Sequence, residues 1–350
     1  MTGELMIYGA SGYTGQLLAQ RAVAGGKRPV LCGRNGAGLR ALAGELGLEY
    51  RTASVDEPRQ LDRALSGIRV LLNAAGPFSA TASPLLEACL RGRTHYLDVS
   101  GEIGVFAALY RQSAAARERG VLVLPGVGFL VLASDCLAAH VARQLPTAVS
   151  LRIAHDRPGF LSRGSRRTIV GSIRDRVQVR RAGELVKVPV GSLQRRFDFG
   201  RGELTCSAIN GAEVFVSALT TGIDNIEVYA PTTAADRVLY RLGARLAPVL
   251  GTAPMRVAMN ALADSWPGSG GHLRQAVVAV VEDASGKRIA RRLLTPDPYE
   301  ATASMALAAL EQVLRGIPHT GFHTPGGVFA PELLFSLPGV SLEALTVRSG

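Results

Sequence analysis

The sequence predicts an α/β fold: an N-terminal doubly wound parallel sheet, then a second α+β domain with a mainly antiparallel sheet. Three observations predict it. Short apolar runs alternate with helix-like patterns up to Leu124. The first run, Leu5 to Tyr8, leads through glycines 9, 12 and 15 into a helical pattern. Beyond Pro146 the period of the apolar residues changes from helical towards two, as in half-buried strands. The expected division is 1–145 for the first domain and 146–317 for a substrate and dimerisation domain. A Gly- and Pro-rich tail, 318–350, is expected to pack back on the first domain.

The glycine turn sets the first domain. Gly9 lets the chain leave the strand sharply, Gly12 leaves room for a pyrophosphate, and Gly15 lets the helix pack against the strand. Ser11, Tyr13 and Thr14 fill the turn between them, and Tyr13 either flanks a nicotinamide or covers the turn. The helix N-terminus offers N–H groups and a partial positive charge to phosphates. This is the pattern of a Rossmann-type dinucleotide site. Gly25-Gly26 ends the first helix, expected at about 14–25, and Arg28 to Gly33 is the second strand. An NAD site places an acid about 20 residues past the glycines. Here Arg34 and Asn35 stand instead, Arg34 being 19 residues after Gly15. A guanidinium suits a 2′-phosphate, so the cofactor is expected to be NADP(H).

The next helix is expected over 37–46, with leucines at 39, 42 and 46. Asp56 follows a short third strand; it either reaches an adenine edge or caps the helix that starts near Pro58. Ile68 to Asn73 is the fourth strand, and Ala75, Gly76 and Pro77 let its exit pass close to a nicotinamide ribose. Helix 81–91, strand 94–101, helix 103–119 and strand 121–124 complete the alternation. Asp98 is the candidate catalytic residue, at the exit of the fifth strand, where parallel sheets bind ligands; as an alternative it caps the helix from Ile103. Glu102 is its neighbour there, with His95 and Tyr96 just before. A helix at 134–144, capped by Ser134 or Asp135, leads to strands near 148–155, 184–190, 197–200, 214–219 and 226–229. A hairpin over 272–294 turns at Ala284-Ser285-Gly286, and helices are expected at 234–250 and 298–314.

Composition bounds the function. With 47% hydrophobic residues the chain can bury a sizeable core. The net charge of +11 favours anionic partners, or equally records an arginine-rich genome. Arg163, Arg166, Arg167, Arg174, Arg176, Arg180 and Arg181 form a basic segment, either a solvated face or a dock for coenzyme A or an acidic carrier protein. It lacks interleaved aromatics, which argues against nucleic acid. Cys32, Cys89, Cys136 and Cys206 give no disulfide framework, so a reducing cytoplasm is expected. No signal peptide precedes the first strand, and Gly120 to Ser134 is too short to span a bilayer. His319 and His323, among glycine and proline, do not make a metal site.

GASGYTG at 9–15, Gly33-Arg34-Asn35, Gly76-Pro77-Phe78, THYLDVSGE at 94–102 and PGVGF at 125–129 occur in order. With Thr221-Gly222-Ile223, Asn225-Ile226 and Asp297 to Thr302, the chain resembles the saccharopine dehydrogenase-like oxidoreductases, including their trans-acting enoyl reductase branch. The resemblance implies an NADPH-dependent oxidoreductase. It would reduce a C=C (enoyl) or C=N (imine) bond of a small or carrier-bound metabolite. A cytoplasmic protein without a membrane segment follows, and a homodimer is left open. The pattern expects an Asp after Phe129 and a Pro before Ser134-Asp135-Cys136; Leu130 and Ala133 stand there. No arginine pair maps onto a keto-acid clamp, so saccharopine chemistry itself is not implied. The alternative is a catalytically silent NADP(H)-binding sensor or scaffold.

Overall fold

A computed structural model describes residues 4–156, 176–233 and 274–345. The chain divides into two compact units. Unit 1 holds Met1–Cys136 and Tyr299–Leu337, and unit 2 holds Leu137–Pro298 and Pro338–Gly350. The divisions differ from those expected: the long helix after Asp297 belongs to unit 1, and the end of the tail to unit 2.

In unit 1, β1 (Leu5–Tyr8), β2 (Val30–Gly33), β3 (Tyr50–Thr52), β4 (Val70–Asn73), β5 (His95–Asp98) and β6 (Leu122–Leu124) alternate with helices. These helices are α1 (Tyr13–Ala24), α2 (Gly36–Leu46), α3 (Pro58–Ala64), α4 (Phe78–Gly92), α5 (Ile103–Arg111) and α6 (Ser113–Arg119). The sheet order is β3-β2-β1-β4-β5-β6, all parallel, as in a doubly wound dinucleotide fold. Every residue of β1, β2 and β4 is buried, as a sheet covered on both faces requires. Ile7, Leu18, Leu31, Leu71, Leu72 and Leu97 are fully buried, each stabilising by about 1.5–3 kcal/mol. The helix expected over 103–119 breaks at Gln112, which ends α5 and precedes α6.

A wide helical turn, Phe129–Ala133, precedes α7 (Ser134–Gln144). The Ser134 hydroxyl donates back to Leu130 O at 2.7 Å. Asp135 Oδ2 accepts from the amide of Gly326 at 2.8 Å. The later part of unit 1 contains α9 (Pro298–Gly316), which an Arg21–Glu300 ion pair ties to α1 and a Lys27–Glu311 pair to the turn that follows α1. β15 (Gly321–Phe322) extends the sheet beyond β6, again parallel.

Unit 2 carries β7 (Ala148–His155), β8 (Val177–Arg181), β9 (Glu184–Val188), β10 (Gln194–Asp198), β11 (Glu203–Ala208), α8 (Glu213–Thr221), β12 (Asn225–Pro231), β13 (Gln275–Asp283), β14 (Arg288–Thr295) and β16 (Ser341–Leu345). Its sheet runs β10-β11-β12-β7-β13-β14-β16, with the β8–β9 hairpin joined at β12. Within this sheet the β12–β7 pair alone is parallel among the described strands. Residues 214–219, expected as a strand, form α8 instead. Its buried residues, Glu213, Val214, Val216 and Ser217, face one side at helical spacing, and Gly222 ends it with φ +73°. The helix expected at 234–250 lies outside the described residues.

Candidate dinucleotide site

The glycine turn is built by contact. A Cβ on Gly15 would lie 2.3 Å from the carbonyl oxygen of Gly9. Gly9 has φ +82°, and a Cβ there would meet Ala75 N and Cβ at 2.8 Å. Gly9 thus brings the exits of β1 and β4 together. At Gly12 the tightest neighbour is the Gly9 oxygen at 3.3 Å, and the residue is exposed. The amides of Gly9 and Ala10 donate to Cys32 O at 2.8 and 3.2 Å, which fixes the turn against β2. α1 starts at Tyr13 with no side-chain cap and no acidic residue in its first turn. Its positive end is therefore undiluted at the carboxyl edge of the sheet. Ser11 and Thr14 are partly exposed beside it; the Ser11 carbonyl accepts from Gln16 Nε2.

At the β2 exit Arg34 is exposed and has no hydrogen-bond or ion-pair partner among the described residues. Asn35 is committed to the fold: its Oδ1 caps α2, accepting from Gly38 N at 3.2 Å. That occupies the oxygen, so Asn35 is a weaker candidate for cofactor contact than the sequence suggests. Asp56 does not cap α3, whose N-cap is Glu57; its carboxylate accepts from Ser54 Oγ at 3.3 Å and is exposed. Both Arg34 and Asp56 stand near enough to Tyr8 to act on its phenol. Burial pushes that phenol up to about 12, and it donates to Ala53 O.

A buried network supports the β4 exit. Asn73 Oδ1 accepts from Ala75 N at 2.9 Å, and Thr81 Oγ1 donates to Ala75 O at 2.6 Å. Asn73 Nδ2 donates to Tyr96 Oη at 3.2 Å, and Tyr96 donates to Asp98 Oδ2 at 2.9 Å. Asp98 Oδ1 accepts from Ser100 N, Ser100 Oγ and Gly126 N at 2.7–2.9 Å. Beyond Ala75 the Gly76–Pro77 peptide is cis, and both residues are exposed.

Asp98 is therefore not where a proton donor to substrate is expected. It is completely buried and both oxygens are engaged. Burial raises its carboxyl above the usual range, with the four donors opposing. It does not cap α5, which starts after Glu102. Its geometry ties the exits of β5 and β6 together. His95 lies at the opposite end of β5, where Nδ1 accepts from Leu122 N at 3.1 Å.

The half-buried carboxyl at this edge belongs to Glu102. It accepts from the amides of Phe78 and Ser79, the first turn of α4, immediately after Pro77. Burial raises it above the usual range. Leu130, at the position where an acid is expected, is 46% exposed and touches Gly101, a Cβ on which would lie 3.1 Å from Leu130 Cδ2. Tyr13 is also exposed and packs edge-on against Tyr299, ring centroids 4.9 Å apart. Thr302 Oγ1 accepts from Phe129 N at 3.1 Å. Tyr299 and Thr302 belong to the sequence piece Asp297 to Thr302; its signal was present, but its place at the glycine turn was not.

Elsewhere, His319 and His323 lie with ring centroids 4.8 Å apart. Among the described residues no group of three His, Cys, Asp or Glu side chains could hold a metal ion. No described helix is long and apolar enough to cross a membrane. Arg163, Arg166, Arg167 and Arg174 lie outside the described residues.

Residues 5–124 match the family described as saccharopine dehydrogenase NADP binding domain. A trans-acting enoyl reductase of Mycobacterium ulcerans is 32% identical over 154 residues, 40% of this chain and 36% of that protein. A saccharopine dehydrogenase-like oxidoreductase of Bos taurus is 28% identical over 154 residues, 38% of this chain and 35% of that protein. The chain thus spans little more than a third of the length of these relatives. In structure it is similar to saccharopine dehydrogenase (L-Glu forming) from Saccharomyces cerevisiae, with TM-score 0.67, 13% identity and coverage of 98% of this chain and 99% of that one. That likeness concerns the fold.

Proposed function

With residues 5–124 matching the saccharopine dehydrogenase NADP binding domain, we propose that this protein is an NADPH-dependent reductase of a C=C or C=N bond in a small or carrier-bound metabolite. The observation that carries the reading is the pairing of an uncapped α1 N-terminus with Arg34 at the next strand exit. The first suits a pyrophosphate and the second a 2′-phosphate. The site fits the group: a side chain at Gly12 would fill the space over the helix end, and Arg34 has no competing carboxylate among the described residues.

When bound, the nicotinamide supplies a hydride to an electrophilic carbon. The protein's part is to orient and to manage the proton. Gly12 and the first turn of α1 hold the phosphates, and Arg34 selects the phosphorylated ribose. Ser11, Tyr13 and Thr14 flank them. Asp56 serves the adenine side. Ala75, Gly76 and Pro77, held by Asn73 and Thr81, form the wall for the nicotinamide ribose. Glu102, whose carboxyl burial raises above the usual range, stands at the same edge as the group that would pass a proton from solvent to the reduced substrate. Asp98 acts behind it as a positioning residue. An enoyl group is the substrate class that the enoyl reductase relatives suggest.

Fluorescence titration with NADPH and NADH tests the cofactor. Tight NADPH binding that Arg34→Asp weakens selectively supports the reading. Failure of both nucleotides to bind sinks it. A second reading, a sensor that binds NADP(H) without chemistry, draws on Leu130 standing where an acid is expected. NADPH oxidation with any enoyl thioester or imine from a broad panel would remove that reading.

A further inference from the structure

Unit 2 has a polar cavity of about 100 Å³ lined by Ser150, Arg152, Arg181, Arg195, Asn225 and Glu227. Parallel pairing of β12 with β7 sets Asn225 beside Ser150 and Glu227 beside Arg152. The side chain of Glu227 is 4% exposed and organises the wall. It pairs with Arg181, accepts from Tyr229 Oη at 2.5 Å and lies 3.8 Å from Arg152 Nε. Burial opposes its ionisation, but the hydrogen bonds from Tyr229 and Arg181 outweigh burial and keep the carboxyl below its usual range.

Arg195 differs from the other two arginines. It is exposed, its Nη1 donates to its neighbour's carbonyl, Gln194 O, and no carboxylate pairs with it among the described residues. Its charge nevertheless acts on both Glu227 and Tyr229, so the guanidinium stands over the cavity. Three guanidinium groups thus face one carboxylate. Just outside, Glu282 pairs with Arg152 and is matched by Arg288. The wall carries an excess of about two positive charges. The space is of the size of a few waters, enough for a phosphate group.

We propose that this cavity is a binding site for a phosphate group, free or at the end of a phosphomonoester, with Arg195 as its principal contact. A dianion of that size balances the excess charge, and guanidinium groups bind phosphate oxygens in pairs. The site is formed within unit 2 alone and is independent of the cofactor reading. The basic run noted in the sequence ends in it, at Arg181.

Calorimetric titration of the full chain with inorganic phosphate and with a short alkyl phosphate tests the proposal, in phosphate- and sulfate-free buffer. Wild type is compared with Arg195→Ala, Arg195→Lys and, to silence the dinucleotide site, Arg34→Asp. The expected result is saturable one-to-one binding, at least tenfold weaker in Arg195→Ala, less so in Arg195→Lys, and retained in Arg34→Asp. Tighter binding of the alkyl phosphate identifies a phosphomonoester as the ligand, and equal binding a free phosphate. No saturable binding up to about 10 mM overturns the proposal. So does binding that Arg195→Ala leaves unchanged, or that Arg34→Asp abolishes. Arg195 is exposed, so its variants are expected to fold, and NADPH titration of Arg195→Ala should match wild type.

Discussion

Gly15 sits against Gly9 so tightly that a methyl group on Gly15 would overlap the Gly9 carbonyl oxygen at 2.3 Å. No side chain rearrangement relieves this, because both partners are backbone. Gly15→Ala is expected to lower the unfolding free energy by about 2–3 kcal/mol and to abolish NADPH binding with it. Gly12→Ala meets the same oxygen at only 3.3 Å. Its cost in stability should stay below about 1 kcal/mol, while NADPH binds at least tenfold more weakly. Urea denaturation and nucleotide titration of both variants separate the packing glycine from the ligand glycine. Equal effects of the two on stability would refute the division of labour.

Tyr96 and Asp98 are two members of one buried network, so their substitutions should not add. Tyr96→Phe removes the donor to Asp98 Oδ2 and the acceptor of Asn73 Nδ2. Asp98→Asn presents an amide to donors that need an acceptor. Each is expected to cost about 1–3 kcal/mol. The double variant should cost less than the sum by about 0.5 kcal/mol or more. Additive values in a denaturation cycle would show that the chain of hydrogen bonds does not act as a unit.

The elements legible in the sequence are those that local chemistry dictates. The glycine turn, the alternation of buried strands with helices, and the hairpin at Ser285-Gly286 need only turn residues and periodicity. What escaped depends on burial. Val214 and Val216 look like a strand because β-branched residues alternate there, yet the segment packs as α8 and stops at Gly222. Gln112 divides α5 from α6 with no proline or glycine to announce it. Asp98 looked like a reactive acid because its strand exit was correctly placed; only tertiary structure encloses it with four donors. Glu102 was visible as a neighbour, but its acceptance of the α4 amides was not. The Arg195 cavity draws on strands that begin at 148, 177, 194 and 225, a juxtaposition no short motif encodes.

His95 gives the first half of the chain a pH dependence whose sign is fixed. Burial lowers its pKa below the ordinary value, and the Arg69 charge adds to this. The neutral ring is also the form that accepts from Leu122 N. The unfolded state therefore binds more protons between the folded pKa and about 6.5. This contribution to stability is complete above about pH 6.5 and is lost as pH falls towards the folded value. The difference in unfolding free energy between wild type and His95→Gln should shrink on acidification from pH 7.5 to about 5.5. His323, lowered as well, is common to both proteins and cancels. A difference that stays constant over this range would contradict the assignment.

Glu102 should distinguish the two redox forms of the cofactor. Its carboxyl rests on the first turn of α4 beside Pro77, at the wall proposed for the nicotinamide ribose. The oxidised ring carries a positive charge and the reduced ring does not. An ionised Glu102 at that wall would favour the oxidised form by attraction to the charge of the ring, on the order of 1 kcal/mol for a partly exposed pair. Glu102→Gln removes that preference while its amide oxygen can still accept from α4. The ratio of NADP+ to NADPH dissociation constants should rise roughly fivefold in the variant, mainly through weaker NADP+ binding. Equilibrium titrations repeated over a range of pH, to follow the ionisation of this carboxyl, are the measurement. An unchanged ratio would place Glu102 away from the ring and remove it from the proton path.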